Sequence, residues 1–136
     1  MSAMYQDALL SHYRAPHHRR EIVASTAATT RRNPVCGDEI RVMVVIADGR
    51  IADVAFTGRG CSIATASASM MTDAARGETV ADALLMTEQV ERMLTGDETP
   101  GALPDTLAPL RGVAPFAGRH GCALMPWMAL RDCLRS

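Results

Sequence analysis

Residues 40–57 read IRVMVVIADGRIADVAFT, two apolar, β-branched runs separated by Asp48-Gly49. An Asp-Gly pair between such runs is the strongest short-range signal for a β-hairpin, because it adopts the type I′ turn that matches the twist of the strands. The sequence therefore predicts antiparallel strands over Ile40–Ala47 and Arg50–Thr57.

The two-residue loop also predicts the register of this hairpin. It sets Met43 and Val45 beside Val54 and Ala52 on one face of the pair. The opposite face carries further apolar residues, namely Val42, Val44, Ile46 and Ile51. Because both faces are apolar, we expect helices to cover at least part of each.

Helical patterns lie on both sides of the hairpin. A first amphipathic helix ends at Pro16. The other predicted helices are Ala64–Ala75, Thr79–Leu85, Glu88–Leu94 and Ala123–Leu134. Pro126 is expected in the first turn of the last helix, where an N–H group has no helical partner. Residues 17–33 indicate a polar connector, and residues 95–118 a long loop with one helical turn near Leu107–Leu110.

These elements predict an α+β fold in which a small antiparallel sheet of about three strands packs against several helices, in one domain over residues 1–136. A chain of this length can bury a core without disulfides.

The net charge of −1 gives no general attraction to nucleic acid or to anionic membranes. Lysine is absent, so neither a Schiff-base lysine nor a P-loop lysine is available.

The chain carries no obvious targeting signal. Residues 1–7 lack the basic and apolar regions of a signal peptide. The longest apolar run, Val42–Ala47, is far too short to cross a bilayer. We therefore expect a soluble, cytoplasmic protein without a membrane partner, in a reducing compartment that keeps cysteines as thiols.

Three cysteines lie in separate segments, and Cys36, Cys61 and Cys122 each have a glycine beside them. Glycine lets the backbone approach a bound atom closely, and Asp38 adds a hard oxygen ligand. Cys61 and Cys122 each precede a predicted helix, whose free N–H groups favour a thiolate. Three thiolates and one carboxylate suit zinc or an iron–sulfur cluster. The alternative is that each cysteine is a small buried core residue.

Two residues near the third cysteine are further candidates. His120 lies two residues before Cys122 and could supply or replace a ligand. Arg119 is a candidate cation that stabilises thiolate charge without binding metal. Cys133 lies about 16 Å from Cys122 along a helix axis, so it cannot share a metal with Cys122 and is expected to be a core or surface thiol.

The remaining histidines are weaker candidates for metal ligands. His12 falls on the apolar face of the first helix, where a hydrogen-bonded core histidine is commoner than a ligand. His17 and His18 lie in the polar connector and are expected to be solvated.

Three motifs in this order resemble the IscU/SufU/NifU-N family of iron–sulfur cluster assembly proteins. They are NPVCGD (Asn33–Asp38), GCSIATASASMMT (Gly60–Thr72) and RHGCALMPW (Arg119–Trp127). The resemblance runs from the first helix to the C-terminus and implies an IscU/NifU-N-like fold.

Within this family the chain is similar to the SufU branch, which has a longer segment before the third cysteine and an Arg-x-x-Cys-Ala-x-x-x-Trp pattern. The His-Cys pair and the Leu-Pro-Pro-Val-Lys run of IscU-type scaffolds are absent. Gly121 stands where many SufU-like sequences carry lysine, so any contact made by that lysine is not carried over.

The resemblance implies a zinc ion held by Cys36, Asp38, Cys61 and Cys122, and a cysteine desulfurase of the SufS type as partner. A histidine of the desulfurase would displace one ligand, and the freed Cys36 would act as the catalytic acceptor of persulfide sulfur. That sulfur would then pass to a downstream iron–sulfur scaffold.

Two other functions stay open at this point. The protein could itself be a scaffold on which a transient [2Fe–2S] cluster is built, because a carboxylate binds iron less tenaciously than a fourth thiolate and would favour release. It could also be a structural zinc module, although such sites usually take four Cys or His ligands in close pairs.

Overall fold

The computed structural model describes residues 3–34, 37–96 and 103–135. In chain order the elements are α1 (Ala3–Arg14), β1 (Ala27–Asn33), β2 (Asp38–Ala47), β3 (Arg50–Arg59), α2 (Ser62–Ala75), α3 (Val80–Leu94), two 3-10 helices (Asp105–Val113 and Ala117–Arg119) and α4 (His120–Arg135). The strands form one antiparallel sheet in the order β1-β2-β3. This arrangement confirms the predicted α+β fold. No helix in these ranges is long and apolar enough to span a membrane.

The predicted hairpin is present between β2 and β3. Asp48 and Gly49 have φ values of 54° and 73°. Positive φ at both central positions is what a type I′ turn requires, and it explains why an Asp-Gly pair occupies this turn. Both strands are longer than predicted, because pairing continues away from the turn as far as Glu39 and Arg59.

The register of the hairpin differs from the simple two-residue pairing. A β-bulge next to Val45 shifts the partners, so that Val45 pairs with Asp53 and Val44 with Val54. Both pairings predicted for Met43 and Val45 are therefore wrong. The physical reason is that Val44 faces the buried core. Pairing without the bulge would place the Asp53 carboxylate opposite Val44, whereas the bulge places the apolar Val54 there.

The two faces of the sheet are covered in different ways. Helices pack on one face, whose buried apolar residues include Val42, Val44, Val54 and Phe56. On the other face Met43 and Ala55 are fully buried beneath the segment that follows α1. This segment first pairs with the edge of β3, where the N–H of Arg20 donates to the carbonyl of Phe56 (3.0 Å), and it then passes over this face, where the N–H of Ile22 donates to Sδ of Met43 (3.4 Å). The expectation of helices on both faces is therefore corrected, because a chain segment bonded to β3 and β2 covers the second face.

The segment predicted as a polar connector contains the third strand. Ala27–Asn33 forms β1 and pairs along β2 from Val44 to Asp38. Its side chains alternate between partly buried and exposed, and the inward ones pack near α4. The alternation involves Ala, Thr and Arg rather than large apolar residues, so the sequence pattern of this edge strand is weak.

The helices agree with the predictions in position but differ in extent. Two predicted short helices are one continuous helix, α3, whose N-cap Thr79 accepts a hydrogen bond from the N–H of Asp82 (3.1 Å). Helix α4 begins at His120 rather than Ala123. Pro126 therefore lies inside α4 and not in its first turn, which corrects that expectation. Much of the predicted long loop is 3-10 helix, and residues 97–102 lie outside the described part.

Candidate metal centre

Asp38, Cys61 and Cys122 converge at one end of the sheet. One carboxylate oxygen and the two Sγ atoms all lie within 4.8 Å of one another. Asp38 and Cys122 are buried, and Cys61 is partly buried. The fourth candidate ligand, Cys36, lies outside the described residues, so its place in the centre stays a prediction.

The pairing of β2 with β3 brings the first two residues together. Asp38 opens β2, and its neighbour Glu39 pairs with Arg59 at the end of β3. Gly58 permits this close approach: its φ is 117°, and a Cβ atom there would lie 2.1 Å from the carbonyl oxygen of Glu39. Because Cys61 lies only two residues after the end of β3, the strand pairing places it beside Asp38.

Both cysteines lie at the start of a helix. Cys61 is the N-cap of α2, and its carbonyl accepts the N–H of Thr65 (3.0 Å). Its side chain makes no capping hydrogen bond, so the sulfur is not committed to the helix end. Cys122 is the third residue of α4. The positive end of each helix dipole favours negative charge, so both positions suit a thiolate.

Asp38 supplies the strongest indication that this site holds a cation. Its Oδ2 is buried and has no hydrogen-bond partner in the described part of the chain. A buried carboxylate oxygen without a partner is costly, and pairing with a metal ion removes that cost. Two sulfurs and one carboxylate oxygen at this separation form a donor set that zinc or iron accepts. The residues present therefore fit the predicted metal.

His120 is not among the residues of this cluster in the described part of the chain. Nε2 of His120 donates to the carbonyl oxygen of Ala114 (2.7 Å), which links the start of α4 to the end of the first 3-10 helix. Arg119 is an exposed residue of the second 3-10 helix. Its proposed influence on the thiolates stays a prediction.

Cys133 lies in the core, away from the metal centre. Its Sγ is within hydrogen-bonding distance of the carbonyl oxygen of Val42 (3.4 Å) and of Oγ1 of Thr29 (3.5 Å). Burial raises the pKa of the Cys133 thiol, so the neutral form is favoured. This environment is that of a packing residue rather than a ligand or nucleophile.

A buried hydrogen-bond pair fixes α2 against α4 beside the centre. Nε1 of Trp127 donates to Oγ of Ser67 (3.0 Å), which in turn donates to the carbonyl of Ala123 (2.6 Å). Because Cys61 and Cys122 start these two helices, this contact sets their separation. The role of Ser67 was not predicted from the sequence, where it is one of several small hydroxyl residues in the predicted helix.

Residues 4–111 match the model of the NifU-like N-terminal domain. The chain belongs to this family. The predicted resemblance to IscU, SufU and NifU-N proteins is thereby confirmed at the level of the family.

Similar proteins of this family carry two kinds of name. An iron–sulfur cluster assembly scaffold protein IscU from Streptococcus pyogenes serotype M1 is 35% identical over 136 residues, covering 99% of this chain and 85% of that protein. A zinc-dependent sulfurtransferase SufU from Bacillus subtilis (strain 168) is 33% identical over 131 residues, covering 96% of this chain and 88% of that protein. The two identities are nearly equal, so they do not separate scaffold from sulfurtransferase.

Solved structures of the NifU-like family have the same fold. A crystal structure from Fervidobacterium islandicum AW-1, titled as an iron–sulfur cluster assembly scaffold protein for the SUF system, has a TM-score of 0.90 at 27% identity and covers 98% of this chain and 99% of that chain. The N-terminal part of a NifU-like protein from Brucella abortus has a TM-score of 0.87 at 23% identity, covering 96% and 92%. The second likeness concerns the fold alone.

Proposed function

We propose that this protein is a zinc-dependent sulfur acceptor in iron–sulfur cluster assembly. It takes persulfide sulfur from a cysteine desulfurase of the SufS type and passes it to a downstream scaffold. The observation that carries the proposal is the buried cluster of Asp38, Cys61 and Cys122, with its unpartnered carboxylate oxygen.

The ligand set would be completed by Cys36. Asn33 pairs with Asp38 across β1 and β2, so the connection that contains Cys36 closes at the metal centre. Two peptide links limit the Cα of Cys36 to about 7 Å from that of Asp38. When bound, zinc would keep the thiols of this set deprotonated at neutral pH.

Cys36 is also the best candidate for the acceptor thiol. Cys122 is only 4% exposed, and Cys61 is partly buried at a helix cap, so a persulfide on another protein has poor access to either. Cys36 belongs instead to a short connection between two strands. Reactivity in thiol exchange requires both thiolate character and access, so burial disfavours Cys61 and Cys122 as acceptors and leaves Cys36 as the candidate.

Sulfur transfer is a displacement that balances without an external oxidant or reductant. The Cys36 thiolate attacks the outer sulfur of the desulfurase persulfide and forms a new S–S bond. The S–S bond on the desulfurase breaks, and its cysteine leaves as a thiolate. The persulfide is then on Cys36, and the desulfurase can react with another cysteine molecule.

The test is a desulfurase assay with zinc-loaded protein. Mixing it with the desulfurase and cysteine should raise alanine production well above that of the desulfurase alone, and mass spectrometry should find one added sulfur on Cys36. Cys36→Ala should abolish the stimulation. Cys133→Ala is the matched control: it removes a thiol that is buried in the core, and stimulation should persist.

The second candidate function is a scaffold for a [2Fe–2S] cluster. It is favoured by the mixed sulfur and oxygen donors and by the similarity to a protein named as a scaffold. The same preparation separates the two functions. No stimulation of alanine production, together with a coloured cluster formed when iron and sulfide are added, supports the scaffold and contradicts the acceptor. A protein that binds zinc and does neither is a structural zinc module.

A further inference from the structure

Three of the four histidines gather at the far end of α2. His12 lies on α1, and His17 and His18 follow Pro16 in the next segment. Asp73 faces them from the last turns of α2. One ligand atom each from His12, His17 and Asp73 lies within 4.8 Å of the others, which makes this the second group of potential metal ligands in the described ranges.

The contacts within this group centre on one carboxylate. Nδ1 of His17 is 2.5 Å from Oδ2 of Asp73, and Nε2 of His18 is 3.4 Å from Oδ1. The centroids of the His12 and His17 rings are 4.7 Å apart, and the ring planes are inclined to each other by 52°. Imidazole nitrogens and a carboxylate oxygen are donors that zinc and related divalent transition metals prefer.

The first ligand, His12, is held by a buried hydroxyl. Its Nδ1 is 2.7 Å from Oγ of Ser69, a fully buried residue of α2. When Nδ1–H donates to this oxygen, Nε2 has the lone pair that a metal requires. Histidine ligands commonly donate their second ring nitrogen to such an oxygen, which fixes the ring and its tautomer.

The segment that carries His17 and His18 is fixed on two sides. The N–H of His17 donates to Oγ of Ser69 (2.8 Å), and its carbonyl lies 3.3 Å from Oγ1 of Thr72. The carbonyl of His18 accepts the N–H of Phe56 (3.1 Å). Because the backbone is already ordered, placing these imidazoles beside a metal costs little further conformational entropy.

We propose that His12, His17 and Asp73 form a second metal site, which binds a zinc-class divalent ion, with His18 at its edge. Asp73 lies twelve residues after Cys61, so the two centres are about 18 Å apart along α2. They therefore cannot share an ion. Metal bound here would join α1 and the segment after it to α2, and it takes no part in the chemistry of the cysteines. The inference does not rest on the proposed sulfur transfer.

The decisive measurement follows each imidazole during a zinc titration. Protein without a polyhistidine tag is labelled with ¹⁵N at histidine, given one equivalent of zinc, and then titrated with a second. Signals of His12 and His17 should move with a 1:1 end point, whereas His120, which is bonded to Ala114, should not move. Because the readout concerns single residues, it applies whether or not the cysteine centre holds zinc. If zinc leaves the His12 and His17 signals unmoved, the site does not exist.

Paired carboxylate variants give an independent test. Asp73→Asn should weaken zinc binding at this site by at least about tenfold, because it replaces an anionic ligand. Asp132→Asn is the matched control, because Asp132 has a similar side-chain exposure (34% against 36%) but pairs with Arg31 instead of histidine. Equal zinc affinity in the two variants would overturn the proposal. The titration of the unmodified protein keeps it testable if Asp73→Asn folds poorly.

Discussion

The indole Nε1 of Trp127 donates to Oγ of Ser67 at 3.0 Å, and this bond joins α4 to α2 inside the core. Both residues are fully buried. The metal centre lies where the same two helices begin, so the position of its sulfurs depends on how the helices pack. This hydrogen bond in the core therefore helps to position the sulfurs of the metal centre.

Ser67→Ala should lower the free energy of unfolding by about 2 kcal/mol, because two buried groups, the Trp127 N–H and the Ala123 carbonyl, lose a partner. Urea unfolding measures the change. Ser11→Ala replaces an exposed serine of α1 and serves as the control, with an expected change within about 0.5 kcal/mol. Similar values for the two variants would mean that the Ser67 bond contributes nothing measurable.

Gly58→Ala should destabilise the sheet edge beside Asp38. The added Cβ meets the carbonyl of Glu39 at 2.1 Å, and φ is 117°, so both the contact and the backbone oppose it. We expect the free energy of unfolding to fall by about 3 kcal/mol or more, and zinc binding to weaken, because β2 and β3 must move apart.

The control for this glycine is Gly118→Ala. A Cβ there meets nothing within 4 Å in the described structure, and its φ is not positive. Thermal unfolding and a zinc competition assay should find Gly118→Ala close to the unmodified protein. If Gly58→Ala is equally harmless, the close strand approach does not position the centre.

The hairpin and most helices could be predicted because their signals are local. Asp48-Gly49 specifies its own turn, and the small residues of α2 specify a helix. The bulge next to Val45 could not be predicted, because it depends on which side chain faces the core once the sheet is packed. Strand β1 was not predicted because its residues are mainly Ala, Thr and Arg, which give no clear strand pattern. It becomes recognisable as an edge strand only from its pairing with β2.

The candidate centre was easier to predict than the histidine cluster. Its cysteines stand beside glycines in motifs that resemble a known family, whereas His12, His17 and Asp73 belong to no short pattern. In sequence, all three strands of the sheet lie between His17 and Asp73. His17 is exposed, as expected, and His18 is partly buried; folding in addition places both rings at the Asp73 carboxylate, which the sequence did not predict.

Asp53 should make stability depend on pH at the acidic end. Its hydrogen bond from Arg20, followed by smaller charge effects, lowers the pKa of this carboxyl below its usual value of 3.8. A lowered folded-state pKa stabilises the protein above the unfolded-state pKa, and that contribution is lost as the pH falls through the folded-state value. Asp53→Asn should therefore cost about 0.5 kcal/mol at pH 7, because the pair is partly exposed.

The cost of Asp53→Asn should vanish once the pH falls below the lowered folded-state pKa of Asp53, where the carboxyl is protonated in both folded and unfolded chains. Arg20→Gln should remove the same pH-dependent part of the free energy of unfolding. The double variant should lose no more of this free energy than either single variant. Chemical denaturation at several pH values measures this. A cost that does not change with pH would indicate that Asp53 acts through packing or its bond to the Val54 N–H.

Asp38→Asn should change stability in opposite directions with and without zinc. In protein stripped of metal, the variant replaces a buried carboxylate that has an unpartnered oxygen with a neutral amide, which costs less to bury, so the free energy of unfolding should rise by about 1 kcal/mol. With zinc present, the same variant loses an anionic ligand. Zinc at a free concentration of one hundred times its Kd stabilises the unmodified protein by about 2.7 kcal/mol, which is about 10 °C in Tm for a chain of this size.

The variant should retain only a small part of that zinc-dependent increase. Thermal scans of both proteins, each with excess chelator and with zinc, give the four values required. Asp132→Asn, a carboxylate away from the cysteine centre, should show the full increase in Tm with zinc. If Asp38→Asn lowers Tm equally in both conditions, Asp38 supports the fold alone, and the fourth ligand must be sought elsewhere. If its effect changes sign as expected, the buried oxygen of Asp38 is held in place for the metal, since the metal-free chain is more stable without its charge.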